Sequence, residues 1–142
     1  MLKLADWETR LAQWATGELG KPFAWGVRDC ATLAFDAVLA MTGEDPGALH
    51  RGKYEDEKSA LRYQRTALVD LRLALERAGL LPVQPGFQQR GDILIVERGG
   101  FQCGHVCFGT RCLDVWPEHG VAWCFTRDVL KHAPLALRAP GG

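Results

Sequence analysis

Two residues of this 142-residue chain have the type and setting that nucleophilic chemistry needs: Cys30, preceded by Asp29, and His105 within Gly104-His105-Val106-Cys107-Phe108. From Cys30 to Met41 the apolar residues Leu33, Ala34, Ala37, Val38 and Met41 recur on one helical face, with Asp29 as a capping residue and Gly43 and Pro46 as terminators. Cys30 is therefore predicted in the first turn, where the positive helix end and unpaired N–H groups favour thiolate over thiol. A thiolate acting on an amide needs an imidazole to protonate the leaving amine. Of His50, His105, His119 and His132, only His105 falls inside a strand-like segment. Val106 and Phe108 take the core face there, so His105 shares the opposite face with Cys103 and Cys107.

The elements that must position these residues divide the chain in two. Leu4, Trp7, Leu11, Trp14 and Ala15 predict an amphipathic helix over 4–19, with Asp6 placed to cap it. Lys21–Gly26 reads as a loop holding Phe23 and Trp25. After the Cys30 helix, residues 54–78 predict a polar helix through Tyr54–Gln64 and an amphipathic one through Leu68, Leu71, Leu75 and Ala78. Pro82–Gly91 reads as turns. Ile93–Val96 then begins a series of short strands, continued by Val106/Phe108, Leu113/Val115 and Val121/Trp123, with Gly109-Thr110 and Pro117–Gly120 between them. One helical turn at Thr126–Lys131 and a last strand at Leu135–Arg138 complete the pattern. Helices first and an antiparallel meander second define an α+β fold, expected as a single domain over 1–142.

Charge narrows the function. Seventeen basic residues balance seventeen acidic ones without a Lys/Arg block, so the field that gathers nucleic acid is missing. The N-terminus MLKLADWETR has neither the apolar run of a signal peptide nor that of a membrane span, and the expectation is a chain made in the cytoplasm. Five cysteines, an odd number without a secretion signal, predict thiols or metal ligands rather than a disulfide framework. A metal would have to draw on Cys103, Cys107, Cys112 and Cys124. No Cys-x-x-Cys knuckle occurs among them, and residues 103 and 107 on one straight strand would lie about 13 Å apart, so no metal is expected.

Two signatures resemble the NlpC-type cell-wall peptidases, papain-like cysteine hydrolases of bacteria and phages. One is Pro22-Phe23-Ala24-Trp25-Gly26 leading to Asp29-Cys30; the other is Arg90-Gly91-Asp92-Ile93-Leu94-Ile95 followed by His105-Val106. The short format, with Asp45-Pro46 and Arg51-Gly52-Lys53-Tyr54 after the cysteine helix, looks most like small versions from phage and prophage tail gene clusters. The resemblance implies a papain-like domain of N-terminal helices packed on a C-terminal antiparallel meander, working without a cofactor. It also implies Cys30 as nucleophile, His105 as base and a polar orienting residue on the next strand.

Asp114 fits that third role, because Leu113 and Val115 take the core face and leave Cys112, Asp114 and Trp116 beside His105. His119 or a water are its alternatives. Phe23, Trp25 and Trp116 are the expected substrate-binding residues. Two departures stand out: Phe23 occupies a position where many members have tyrosine, and Ala31-Thr32 follows the cysteine where Ser-Gly is common. The implied activity is cleavage of peptidoglycan stem peptides within a phage-type tail tip, with other tail or baseplate proteins as partners and the virion as its final location. The alternative is a catalytically weak or inactive papain-like component of the same tail or baseplate.

Overall fold

The computed structural model describes residues 1–84 and 86–142. Among the described residues the order is α1 (Trp7–Glu18), α2 (Thr32–Thr42), α3 (Glu57–Ala67), α4 (Leu71–Arg77), β1 (Leu81–Val83), β2 (Ile93–Arg98), β3 (Phe101–Cys107), β4 (Arg111–Trp116), β5 (Gly120–Phe125), α5 (Thr126–Leu130) and β6 (Leu135–Arg138). The strands form one antiparallel sheet in the order β1-β6-β2-β3-β4-β5. The α+β architecture, with helices ahead of a β2–β5 meander, is the one the sequence predicts.

Period-two alternation sorts the side chains between two layers. Ile93, Ile95, Val106, Leu113, Val115 and Val121 face α1, α2 and α4, and they pack on Leu11, Leu33, Val38 and Leu75. Leu94, Val96, Cys107 and Cys112 form a smaller core on the other face, under Val129 of α5. β2 is thus buried on both sides, which explains its continuous apolar run.

Two local expectations change. Asp6 does not cap α1; its carboxylate pairs with Arg10 Nε at 2.9 Å instead. The stretch predicted as turns begins with a strand, β1, made possible at Pro82 because β1 is a sheet edge that needs no inward N–H there. Pro85, in the same stretch, lies outside the described residues. The last strand, β6, for which the sequence names no partner, pairs with β2, carried back by α5.

The Gly-Asp signature proves to be a joint that fixes the start of β2. Gly91 has φ +91°, and a Cβ there would stand 2.8 Å from the Trp7 ring and 3.0 Å from Met41 Sδ. Fully buried Asp92 receives Arg138 Nε and Nη2, each at 2.8 Å, tying β2 to β6 by a two-pronged ion pair.

Candidate active site

The start of α2 is built around Asp29, which is 1% exposed. Its Oδ1 accepts the N–H groups of Ala31 and Thr32, both at 2.9 Å, while Thr32 Oγ1 accepts the Asp29 N–H at 2.7 Å. This reciprocal arrangement is a cap, and the first helical bond runs from Leu33 N–H to the Asp29 carbonyl at 3.0 Å. Oδ2 binds two further donors, Gly26 N–H and Tyr54 Oη, each at 2.8 Å. The aromatic loop, the helix start and the segment before α3 are therefore fastened to one carboxylate. Cys30 follows it, with its side chain half-buried.

Gly104 brings the helix start against β3. Its N–H donates to the Cys30 carbonyl at 3.0 Å. A Cβ at this glycine would stand 3.0 Å from both Ala34 Cβ and that carbonyl oxygen, so only glycine permits the approach. Pairing of β3 with β4 is confined to Val106–Leu113 and Cys107–Cys112. One register step beyond, His105 and Asp114 face each other, with His105 Nδ1 3.2 Å from Asp114 Oδ2. A carboxylate can only accept, so Nδ1 carries the proton and Nε2 is the remaining nitrogen. Nε2 is buried and has no hydrogen-bond partner. Burial works against ionisation of Asp114, but the hydrogen bond from His105 and the neighbouring Trp116 and Cys124 outweigh it and hold the carboxyl below the usual carboxylate range.

The three residues expected to act together are thus placed on adjoining elements: His105 and Asp114 in direct contact, Cys30 joined through its backbone to the residue beside His105. The side chain of Cys30, however, packs against the cluster that holds Cys103 and makes no hydrogen bond to the imidazole. Its pKa is raised well above the ordinary thiol value, first by the neighbouring Cys103 thiol, then by burial and the nearby charges of Cys103 and Asp29. Cys103 moves the opposite way, with the neighbouring Cys30 thiol as the first cause. That direction runs against the helix-end thiolate that the sequence predicts.

A cleft of about 280 Å³ opens over Cys30, lined by Phe23, Trp25, Cys103, Trp116 and Arg98, among others. The three residues expected to bind substrate all line it. Trp25 packs edge-on against Phe23 with ring centroids 4.9 Å apart, and the Arg98 guanidinium stacks on Trp116 at 4.8 Å. The Trp116 ring in turn lies 6.5 Å from that of His105, which is only 1% exposed and sits behind the cleft wall. His119 does not reach His105; its Nδ1 pairs with the Gly120 carbonyl at 3.0 Å.

For a metal, the four later cysteines do not converge. Among the described residues, the side chains of His105, Asp114 and Cys124 have donor atoms within 4.8 Å of one another. Two of them are already joined by the His105–Asp114 hydrogen bond, and the Cys124 thiol is pushed up to about 12, first by burial and then by the neighbouring Asp114 carboxylate. Sequence reasoning left Cys103 without a role and named neither Tyr54 nor Arg98 for the site. A signal existed for Cys103, which shares the His105 face two residues away, but none for its meeting Cys30 across 73 positions of chain.

A cysteine ahead of a buried helix and a histidine–aspartate pair on neighbouring antiparallel strands define a papain-like fold with a candidate thiol site. Ten solved chains match this architecture. Among them is the NlpC/p60 domain of the peptidoglycan hydrolase SagA, with a TM-score of 0.58, 16% identity, and coverage of 92% of this chain and 97% of that one. The chain belongs to the family described as Domain of unknown function (DUF6950), matched over residues 2–132. No curated protein matches the sequence.

Proposed function

We propose that this chain, as a single domain over 1–142, is a cysteine peptidase that cleaves an amide in the peptide stems of peptidoglycan. The observation that carries the reading is the His105 Nδ1–Asp114 pair, which leaves Nε2 unengaged on the strand pinned to the Cys30 backbone. In this mechanism Cys30 Sγ turns from Cys103 and attacks the substrate carbonyl while His105 Nε2 takes the thiol proton. Asp114 balances the imidazolium that results. The Cys30 N–H, which no carbonyl or side-chain oxygen accepts among the described residues, is free to bind the oxyanion. The imidazolium then protonates the leaving amine, and water activated by the same imidazole releases the acyl group from the thioester. The peptidoglycan substrate is supported by fold likeness to SagA's domain and by the two sequence signatures; a phage-type tail tip as the setting rests on the short format, with Asp45-Pro46 and Arg51–Tyr54, alone.

Mass spectrometry of a peptidoglycan digest, wild type against Cys30→Ala, tests the activity. New stem-peptide termini should appear only with the wild type; their absence under reducing conditions would refute it. One observation favours a second reading, a papain-like tail or baseplate component with little turnover: Cys30 packs against the Cys103 cluster and makes no hydrogen bond to His105, whose Nε2 is buried without a partner.

A further inference from the structure

The pairing of Cys30 with Cys103 is not accounted for by the peptidase reading. Both thiols are free, both line the cleft, and both pack in the small cluster formed by Ala60, Phe101, Trp25 and Tyr54. Their backbones are joined next to the thiols by the Gly104 N–H···O Cys30 bond of 3.0 Å. Bond lengths then allow the two Cα atoms a separation of at most about 8 Å. The two side chains also share one packed cluster and one cleft wall, which makes the sulfurs neighbours. A disulfide needs Cα atoms roughly 4.4–6.8 Å apart with converging Cβ vectors.

We propose that Cys30 and Cys103 form a reversible thiol–disulfide couple, oxidised by peroxides, in which Cys103 locks the Cys30 sulfur against any electrophile entering the cleft. The chemistry balances without another reductant or oxidant. The Cys103 sulfur attacks one peroxide oxygen; the O–O bond breaks and the departing hydroxide leaves as water with the Cys103 proton. The Cys30 sulfur then displaces the sulfenic oxygen, which leaves with the Cys30 proton as a second water. Two thiols lose two electrons and one peroxide gains them. Cys103 holds the better share of thiolate for the first step because of the neighbouring Cys30 thiol, with Arg98 nearby adding a positive charge.

As regulation of the proposed peptidase, the couple rests on that reading, but its test does not pass through activity. The chain is treated with hydrogen peroxide, then alkylated with iodoacetamide without reductant and mapped by peptide mass. The expected product is about 2 Da lighter before alkylation. It contains a Cys30–Cys103 linked peptide pair, resists alkylation at Cys30 and regains that alkylation after dithiothreitol. In Cys103→Ser the linked pair should be absent and Cys30 should advance to sulfinic acid, which dithiothreitol does not reverse. A wild-type protein in which Cys30 goes to sulfinic acid unlinked, or in which Cys107 and Cys112 link while Cys30 stays alkylatable, would overturn the inference. A peptidoglycan digest that fails in the reduced protein while the linked pair still forms would overturn the peptidase reading alone.

Discussion

Gly104→Ala probes the contact on which the whole site depends. The added methyl would stand 3.0 Å from Ala34 Cβ and from the Cys30 carbonyl oxygen, and 3.1 Å from Leu71 Cδ2. Each distance is several tenths of an ångström short of ordinary contact, and the neighbours belong to two different helices and a backbone, so none can swing aside alone. Overpacking of this kind costs about 1–3 kcal/mol. At roughly 4 °C per kcal/mol for a domain of this size, melting should fall by about 4–12 °C. The relief available is a shift of the α2 start away from β3, which lengthens the Gly104 N–H···O Cys30 bond and moves the proposed nucleophile, Cys30, relative to His105. A displacement near 1 Å costs on the order of 100-fold in turnover.

Gly17→Ala is the control. Gly17 lies exposed inside α1 with nothing within 4 Å of its would-be Cβ, so the change should raise stability. The gain expected from helix propensity is about 0.5–1 kcal/mol. Differential scanning calorimetry and the peptidoglycan digest measure both variants. If Gly104→Ala melts within about 1 °C of wild type and digests at the wild-type rate, the close approach of α2 and β3 does not exist as described.

Cys30→Ala should abolish digestion, while Asp114→Ala should lower it and leave a residue of activity, because an orienting carboxylate matters less than the nucleophile; equal rates for Asp114→Ala and wild type would transfer the role to another group. Tyr54→Phe removes one of four hydrogen bonds on buried Asp29 and should cost about 1 kcal/mol in urea unfolding without changing the far-ultraviolet circular dichroism. Because the folded-state pKa of Asp114 lies below its ordinary value, its ionisation stabilises the fold above the ordinary carboxylate range, and that contribution fades as pH falls through the lowered value. The stability difference between wild type and Asp114→Asn should therefore shrink as urea titrations move from about pH 6 to about pH 2.

Much of this site can be read from local pattern. The alternation of Leu113 and Val115 against Cys112 and Asp114 needs only the period of a strand, and it places Asp114 beside His105 correctly once β3 and β4 are taken as a hairpin. Asp29 as a cap follows from its position before an apolar helix. What period cannot encode is where a ladder stops. β3 leaves β4 after the Val106–Leu113 pair, and the face that carries Cys103 opens toward the α2 start there. Tyr54 reaches Asp29 across 25 positions, and β6 chooses the β2 edge over the β5 edge; both depend on tertiary packing that no local segment records.

That same opening bears on the protonation of Cys30, the proposed nucleophile. A helix end favours an anion by about 0.3–1 kcal/mol where it is exposed. At Cys30 this is set against burial, the Asp29 carboxylate and the neighbouring Cys103 thiol, and the three together win. Of these, the Cys103 contribution is the largest, so Cys103→Ala should lower the Cys30 pKa even though it removes a polar neighbour. Iodoacetamide reacts with the thiolate, and below the pKa each unit of lowering raises the thiolate fraction about tenfold. The pH profile of Cys30 alkylation, followed by peptide mass at limiting reagent, should move to lower pH in Cys103→Ala, with faster labelling near neutrality. Superimposable profiles would mean that burial and Asp29 alone hold the proton on Cys30, and that the opposed shifts of the two thiols have another origin.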